Sequence, residues 1–82
     1  MTTSQRIRFY LDDMGWDLVD LARATNIHFI TLEAAINDDG PLTRAQLMMI
    51  VNKIVMEYPR DRHWEIFQTI AIQPTFDKGQ NK

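Results

Sequence analysis

The sequence predicts an all-α domain of five helices with a short extended piece near its C-terminal end. Three observations carry that expectation. Eighty-two residues leave room for a single core. Cysteine is absent, so the fold stands on packing alone, which at this size favours helices with local contacts. Gly15, Gly40-Pro41, Pro59 and Pro74 cut the chain into blocks of helical length, and the apolar residues inside those blocks recur in steps of three and four.

The first block offers Thr3 or Ser4 as a cap, followed by Ile7, Tyr10, Leu11 and Met14 on one face, and Met14-Gly15-Trp16 interrupts it. Asp17 suits the cap of a second helix with Leu18, Leu21 and Ala22 inward, and Asn26 suits a left-handed terminator. A third helix is expected from about His28 to Asn37, with Ile27 packed before it and Leu32, Ala35 and Ile36 inward. Asn37-Asp38-Asp39-Gly40-Pro41 breaks the chain. Thr43-Arg44-Ala45-Gln46 reads as a capping box, in which the Thr and Gln side chains each satisfy a free backbone N–H. It opens a fourth helix, to about Glu57, with Leu47, Ile50, Val51, Ile54 and Tyr58 in its stripe. Asp61 is the expected cap of a fifth helix carrying Trp64 and Phe67 to about Thr69. Ile70-Ala71-Ile72 continues an alternation from Trp64 and Ile66 and is expected to be extended. Residues 1–73 form the domain, and the polar segment 74–82 is expected to be loose.

Acids outnumber bases by 11 to 9, for a formal charge of −2. That excludes a polybasic, sequence-indifferent nucleic-acid coat and makes the placement of the few bases decisive. Residues 1–8 lack the apolar core of a signal peptide, and no apolar run approaches a membrane span. A cytoplasmic protein with no membrane association is the expectation.

Residues 18–37 have the spacing of a helix-turn-helix: Leu21 and Ala22 on the first helix, Ile27 after the turn, and Leu32, Ala35 and Ile36 on the second. Two short helices crossing steeply need a small residue such as Ala22 where they approach. With Trp16-Asp17-Leu18-Val19-Asp20-Leu21-Ala22, Thr25-Asn26-Ile27, Thr31-Leu32 and Ala35-Ile36, the chain resembles the lambda-repressor/Cro-like helix-turn-helix family over about residues 4–58. Leu18 stands where the family often has Gln, and Asn26 where it often has Gly.

The resemblance implies a sequence-specific DNA-binding regulator, repressor-like and acting as a homodimer, whose third helix lies in the major groove of double-stranded DNA. His28, Phe29, Ile30, Glu33, Ala34 and Asn37 would face the bases. Asn37 suits adenine, Phe29 or Ile30 a thymine methyl, and Glu33 the amino group of cytosine. That helix carries no Lys or Arg, and Glu33, Asp38 and Asp39 lie on or beside it. Phosphate contacts are therefore expected from Arg23, Arg44, Lys53 or the pair Arg6 and Arg8. Arg44 is best placed by family analogy. The alternative is a degenerate helix-turn-helix that modulates a repressor or host factor through Phe29, Ile30 and the acidic loop, without strong DNA binding. The two differ in whether Arg23, Arg44 and Lys53 ring the exposed face of the third helix or scatter.

Other constellations favour structural roles. His28 and His63 have no partner at a metal-ligand spacing. Aligning Gly40 with the glycine of a calcium loop puts Ala35 and Gln46 where carboxylates belong, so no metal or other cofactor is expected. Ser4 is the only serine, and there is no glycine-rich phosphate loop, so the chain is not read as an enzyme. Met48, Met49 and Met56 are expected to fill gaps. Trp64, Phe67, Ile70 and Ile72 form a candidate dimer contact within 61–73, with 70–72 pairing as antiparallel strands across a two-fold axis.

Overall fold

The computed structural model describes residues 2–72, the side chain of Ile72 excepted. Its helices are α1 (Thr3–Met14), α2 (Leu18–Thr25), α3 (Phe29–Asp38), α4 (Arg44–Val55) and α5 (His63–Phe67). A 3₁₀ turn, Arg60–Arg62, precedes α5, and a wide π turn, Gln68–Ile72, follows it. No strand occurs among the described residues, and the fold is all-α.

Local chemistry explains most boundaries. Thr2, rather than Thr3 or Ser4, caps α1: its hydroxyl accepts from Gln5 N–H while the Gln5 side chain accepts from Thr2 N–H. Ser4 is instead drawn inward, buried and donating to Asp39. Gly15 ends α1 at φ 76°, a left-handed conformation that costs glycine nothing. Asp17 and Asp20 cap α2 reciprocally, and Asn26 ends it at φ 61°. Thr43 and Gln46 form the expected box on α4. That helix stops at Val55, two residues before the expected end. Glu57 and Tyr58 tighten into i→i+3 hydrogen bonds to Ile54 and Val55.

The break after α3 divides its labour unexpectedly. Asp39, not Gly40, takes the left-handed position at φ 55°. Gly40 serves close approach: its N–H donates to Ala34 O at 2.9 Å, and a Cβ there would stand 3.0 Å from the same oxygen.

Two expectations near the C-terminal end are corrected. Asp61 lies inside the 3₁₀ turn, and no side chain caps α5. Residues 70–72 are helical, not extended. Ile66, Ile70 and Ala71 are all buried, a spacing of four and one that a helix gathers on one face. Trp64, which begins the apparent alternation, is 62% exposed and never belonged to that face.

The core joins Ile7 and Leu11 of α1, Leu21 of α2, Leu32 and Ile36 of α3, Ile50, Val51 and Ile54 of α4, and Ile66 and Ile70. Each such side chain stabilises the fold by about 1.5–3 kcal/mol through lost contact with water. Packing runs α1 on α3 and the π turn, α2 on α3 and α4, and α4 on α5. These contacts seat α3 from behind and leave its opposite face to solvent.

Candidate functional site

The α2–turn–α3 unit is held by Thr25, buried on the last turn of α2. Its hydroxyl donates to Leu21 O at 2.8 Å and accepts from Ile27 N–H at 3.3 Å. One side chain thus closes α2 and fixes the path into the turn. Ile27 is then buried, and His28 caps α3 by accepting Ile30 N–H on Nδ1 at 3.2 Å. In the neutral ring that hydrogen bond places the remaining proton on Nε2.

On α3 the exposed residues include Ile30, Glu33, Ala34 and Asn37, spaced three, four and seven from Ile30 along one stripe. Leu32, Ala35 and Ile36 bury the opposite side. Phe29 and Ile30 are both exposed, at 38% and 65%, so the helix withdraws neither from solvent. Leu18, in the position where the resemblance implies Gln, is half-buried against the core and offers no polar contact. Ala22 is likewise half-buried at the core's edge, as a small residue between α2 and its neighbours should be.

The structure brings one base to this stripe. The Arg8 guanidinium of α1 donates to Asn37 Oδ1. Arg8 lies one position past the buried Ile7, so α1–α3 packing carries it to the C-terminal half of α3. The sequence offers Arg8 only as one of five candidate phosphate contacts, because nothing local in residues 2–14 signals which helix α1 packs against.

The other bases are not gathered in the same way. Arg23 is exposed on the last turn of α2. Arg44 is exposed on the first turn of α4, and Lys53 is half-buried on its last turn. Nine positions make two and a half turns, so Arg44 and Lys53 project from opposite sides of α4, ~13 Å apart along its axis. They cannot both flank α3. Among the described residues the one ion pair is Arg62 with Glu65, at 3.9 Å.

The candidate dimer residues separate. Trp64 is exposed, and Phe67, half-buried, stacks on it with centroids 5.6 Å apart and planes 26° from parallel. Ile70 is wholly buried in the domain's own core and is withdrawn as an interface residue, because exposing it would open that core. The Ile72 side chain and the segment 74–82 lie outside the described residues. His63 is committed locally, its Nε2 hydrogen-bonded to Tyr58 O at 2.9 Å.

No helix among the described residues is long and apolar enough to cross a membrane. Comparison with protein-family models, with curated proteins and with solved structures finds no match to this chain.

Proposed function

We propose that the chain is a sequence-specific DNA-binding regulator of the helix-turn-helix kind, a binding protein rather than an enzyme, acting in the cytoplasm on double-stranded DNA. The observation that carries this reading is the Arg8–Asn37 hydrogen bond. The absence of bases on α3 is the main objection to DNA binding, and Arg8 supplies one from a neighbouring helix. Asn37 Oδ1 has a second lone pair, and its amide donors are not used by Arg8. It therefore retains the acceptor and donor needed to pair with adenine. Ile30 and Phe29 offer methyl and ring surface to thymine, and Glu33 offers an acceptor to cytosine. Arg8, Arg23 and Arg44 would meet phosphates.

Two copies carry twice the −2 of one chain, so phosphate attraction is modest and dimerisation supplies the second half-site. Trp64 and Phe67 are the residues proposed to join the copies. The test is a salt titration of binding to double-stranded DNA. Log affinity should fall linearly with log salt, with a slope of about −0.9 per phosphate contacted. No affinity at low salt, or affinity indifferent to salt, overturns the proposal.

A second reading rests on the opposed positions of Arg44 and Lys53 on α4. Because these two bases do not frame α3 together, the stripe of Phe29, Ile30 and Glu33 suits a protein surface better than a phosphate-lined groove. The domain would then modulate a repressor or host factor by binding it.

A further inference from the structure

Met49 and Met56 do not fill gaps in the core. Met49 on α4 and Met56 at its C-terminal cap stand two turns apart on the outer face of that helix, 42% and 68% exposed. Met56 is the most exposed large apolar side chain among the described residues. Asn52, also exposed, lies between them on the same stripe. Beside the stripe a groove of about 460 Å³ opens between α4 and α5, with Val51, Val55, Trp64 and Phe67 as its apolar lining.

The knob and the groove are neighbours that do not serve each other. Met56 follows Val55 and is turned roughly 100° from it about the helix axis, so it stands beside its own groove and leaves it open. A copy related by a two-fold axis carries the same knob and the same groove, and one contact then fills both. Methionine suits the part, because its unbranched side chain adapts to an irregular groove and its sulfur packs well against rings such as Trp64 and Phe67.

Charge points to the same occupant. Val51 and Val55 each precede a stripe residue, Asn52 and Met56, whereas Lys53 and Glu57 each follow one. The two charges therefore share the flank away from the groove. They are four positions apart, yet among the described residues the one ion pair is Arg62 with Glu65. Two antiparallel copies of α4 related by an axis beside Val55 bring Lys53 level with the partner's Glu57, twice, and set no like charges opposite one another on that flank.

We propose that the occupant of the groove is a second copy of this chain: α4 lies antiparallel on its partner, each Met56 seats between the other's α4 and α5, and reciprocal Lys53–Glu57 pairs set the register. This interface rests on the homodimer proposed above and supplies the residue that the Trp64–Phe67 wall receives. It requires no DNA.

Sedimentation of the full chain without DNA tests it. The parent chain should dimerise. Met56→Glu should raise the dimer Kd by at least about tenfold, with far-UV circular dichroism unchanged, because Met56 lies outside the core. Lys53→Glu and Glu57→Lys should each weaken the dimer, and the double swap should recover most of the loss. A dimer as tight in Met56→Glu as in the parent chain, or a double swap no tighter than the singles, overturns this interface and leaves the Trp64–Phe67 contact standing. A parent chain that stays monomeric at every accessible concentration overturns both, and DNA binding is read separately by the salt titration.

Discussion

The Arg8 guanidinium on α1 donates to the side-chain oxygen of Asn37 on α3, joining two residues 29 positions apart. The contact gives α1 two roles. Ile7 and Leu11 bury against the core and hold α3 from behind, while Arg8 reaches round to the exposed stripe. It also orients an amide that would otherwise rotate freely on an exposed helix end. A cationic side chain and an amide are thereby presented together on the exposed stripe of α3.

If this pair meets DNA, its two members should fail differently. Arg8→Ala should weaken binding to all sequences and reduce the magnitude of the salt slope by about 1. Asn37→Ala should instead cost about 1–3 kcal/mol at one base position and leave the salt slope unchanged. Fluorescence anisotropy against a specific and a scrambled duplex at several salt concentrations separates the two. An unaltered salt slope for Arg8→Ala would remove Arg8 from the phosphate contacts.

The exposed pair at the start of α3 distinguishes the two functional readings. Phe29→Ser with Ile30→Ser removes apolar surface that the core does not use, so Tm should move by only a few degrees. Under the DNA-binding reading, affinity for DNA should drop, because the apolar surface proposed to meet thymine is lost. DNA affinity equal to the parent chain, with the fold intact, would take these residues out of the groove and favour the protein-binding module.

What the sequence made legible follows from how local each signal is. Thr43 with Gln46, Asp17 as a cap and Asn26 as a left-handed stop all act within four residues, and the structure contains each of them. Periodicity likewise placed Leu21, Leu32, Ala35, Ile36, Ile50 and Ile54 in the core. Local signals fall short where distant packing decides. Thr2 caps α1 with Gln5, while Ser4 is turned inward and donates to Asp39, 35 positions away. Ile70 turns inward on a helix because α1 and α4 receive it there, while alternation with Trp64 suggested a strand. The candidate site divides along the same line. The exposed stripe of α3 was readable from its inward residues, whereas Arg8 joined it only through the packing of α1.

The break after α3 makes a prediction that inspection of the Asp39-Gly40 sequence would invert. Glycine is usually credited with the left-handed position, yet Asp39 holds it and Gly40 holds a close approach. Gly40→Ala should destabilise the fold by about 1 kcal/mol or more, since the added methyl meets a helix carbonyl that Gly40 itself bonds. Asp39→Asn should be nearly neutral, because Asn tolerates the left-handed conformation and keeps an acceptor for Ser4. Thermal unfolding of both variants checks the order. A greater loss for Asp39→Asn than for Gly40→Ala would contradict it.

A second tie between distant segments gives the fold a response to alkaline pH. The Tyr58 hydroxyl, past the end of α4, donates to Asp13 Oδ2 on the last turn of α1 at 2.7 Å. Burial of the phenol, then its hydrogen bond to Asp13 and the negative charge of that carboxylate, push its pKa from 10.0 up to about 12. The Arg62 guanidinium, 4.9 Å from the ring centroid, opposes the rise. Since the folded chain holds the phenol proton more tightly than the unfolded chain, this contribution is intact below pH 10. It is lost as pH climbs through about 12, because the unfolded phenol ionises first. Tyr58→Phe should lower Tm at neutral pH by removing the hydrogen bond, and should flatten the further decline between pH 10 and 12. Lysine titration and other alkaline effects act on both chains, so the difference between the two Tm–pH curves is the quantity to measure. Absorbance of the phenolate should place the Tyr58 transition near pH 12 in the parent chain. Parallel Tm–pH curves for the two chains would show that the Asp13–Tyr58 tie contributes nothing to the alkaline transition.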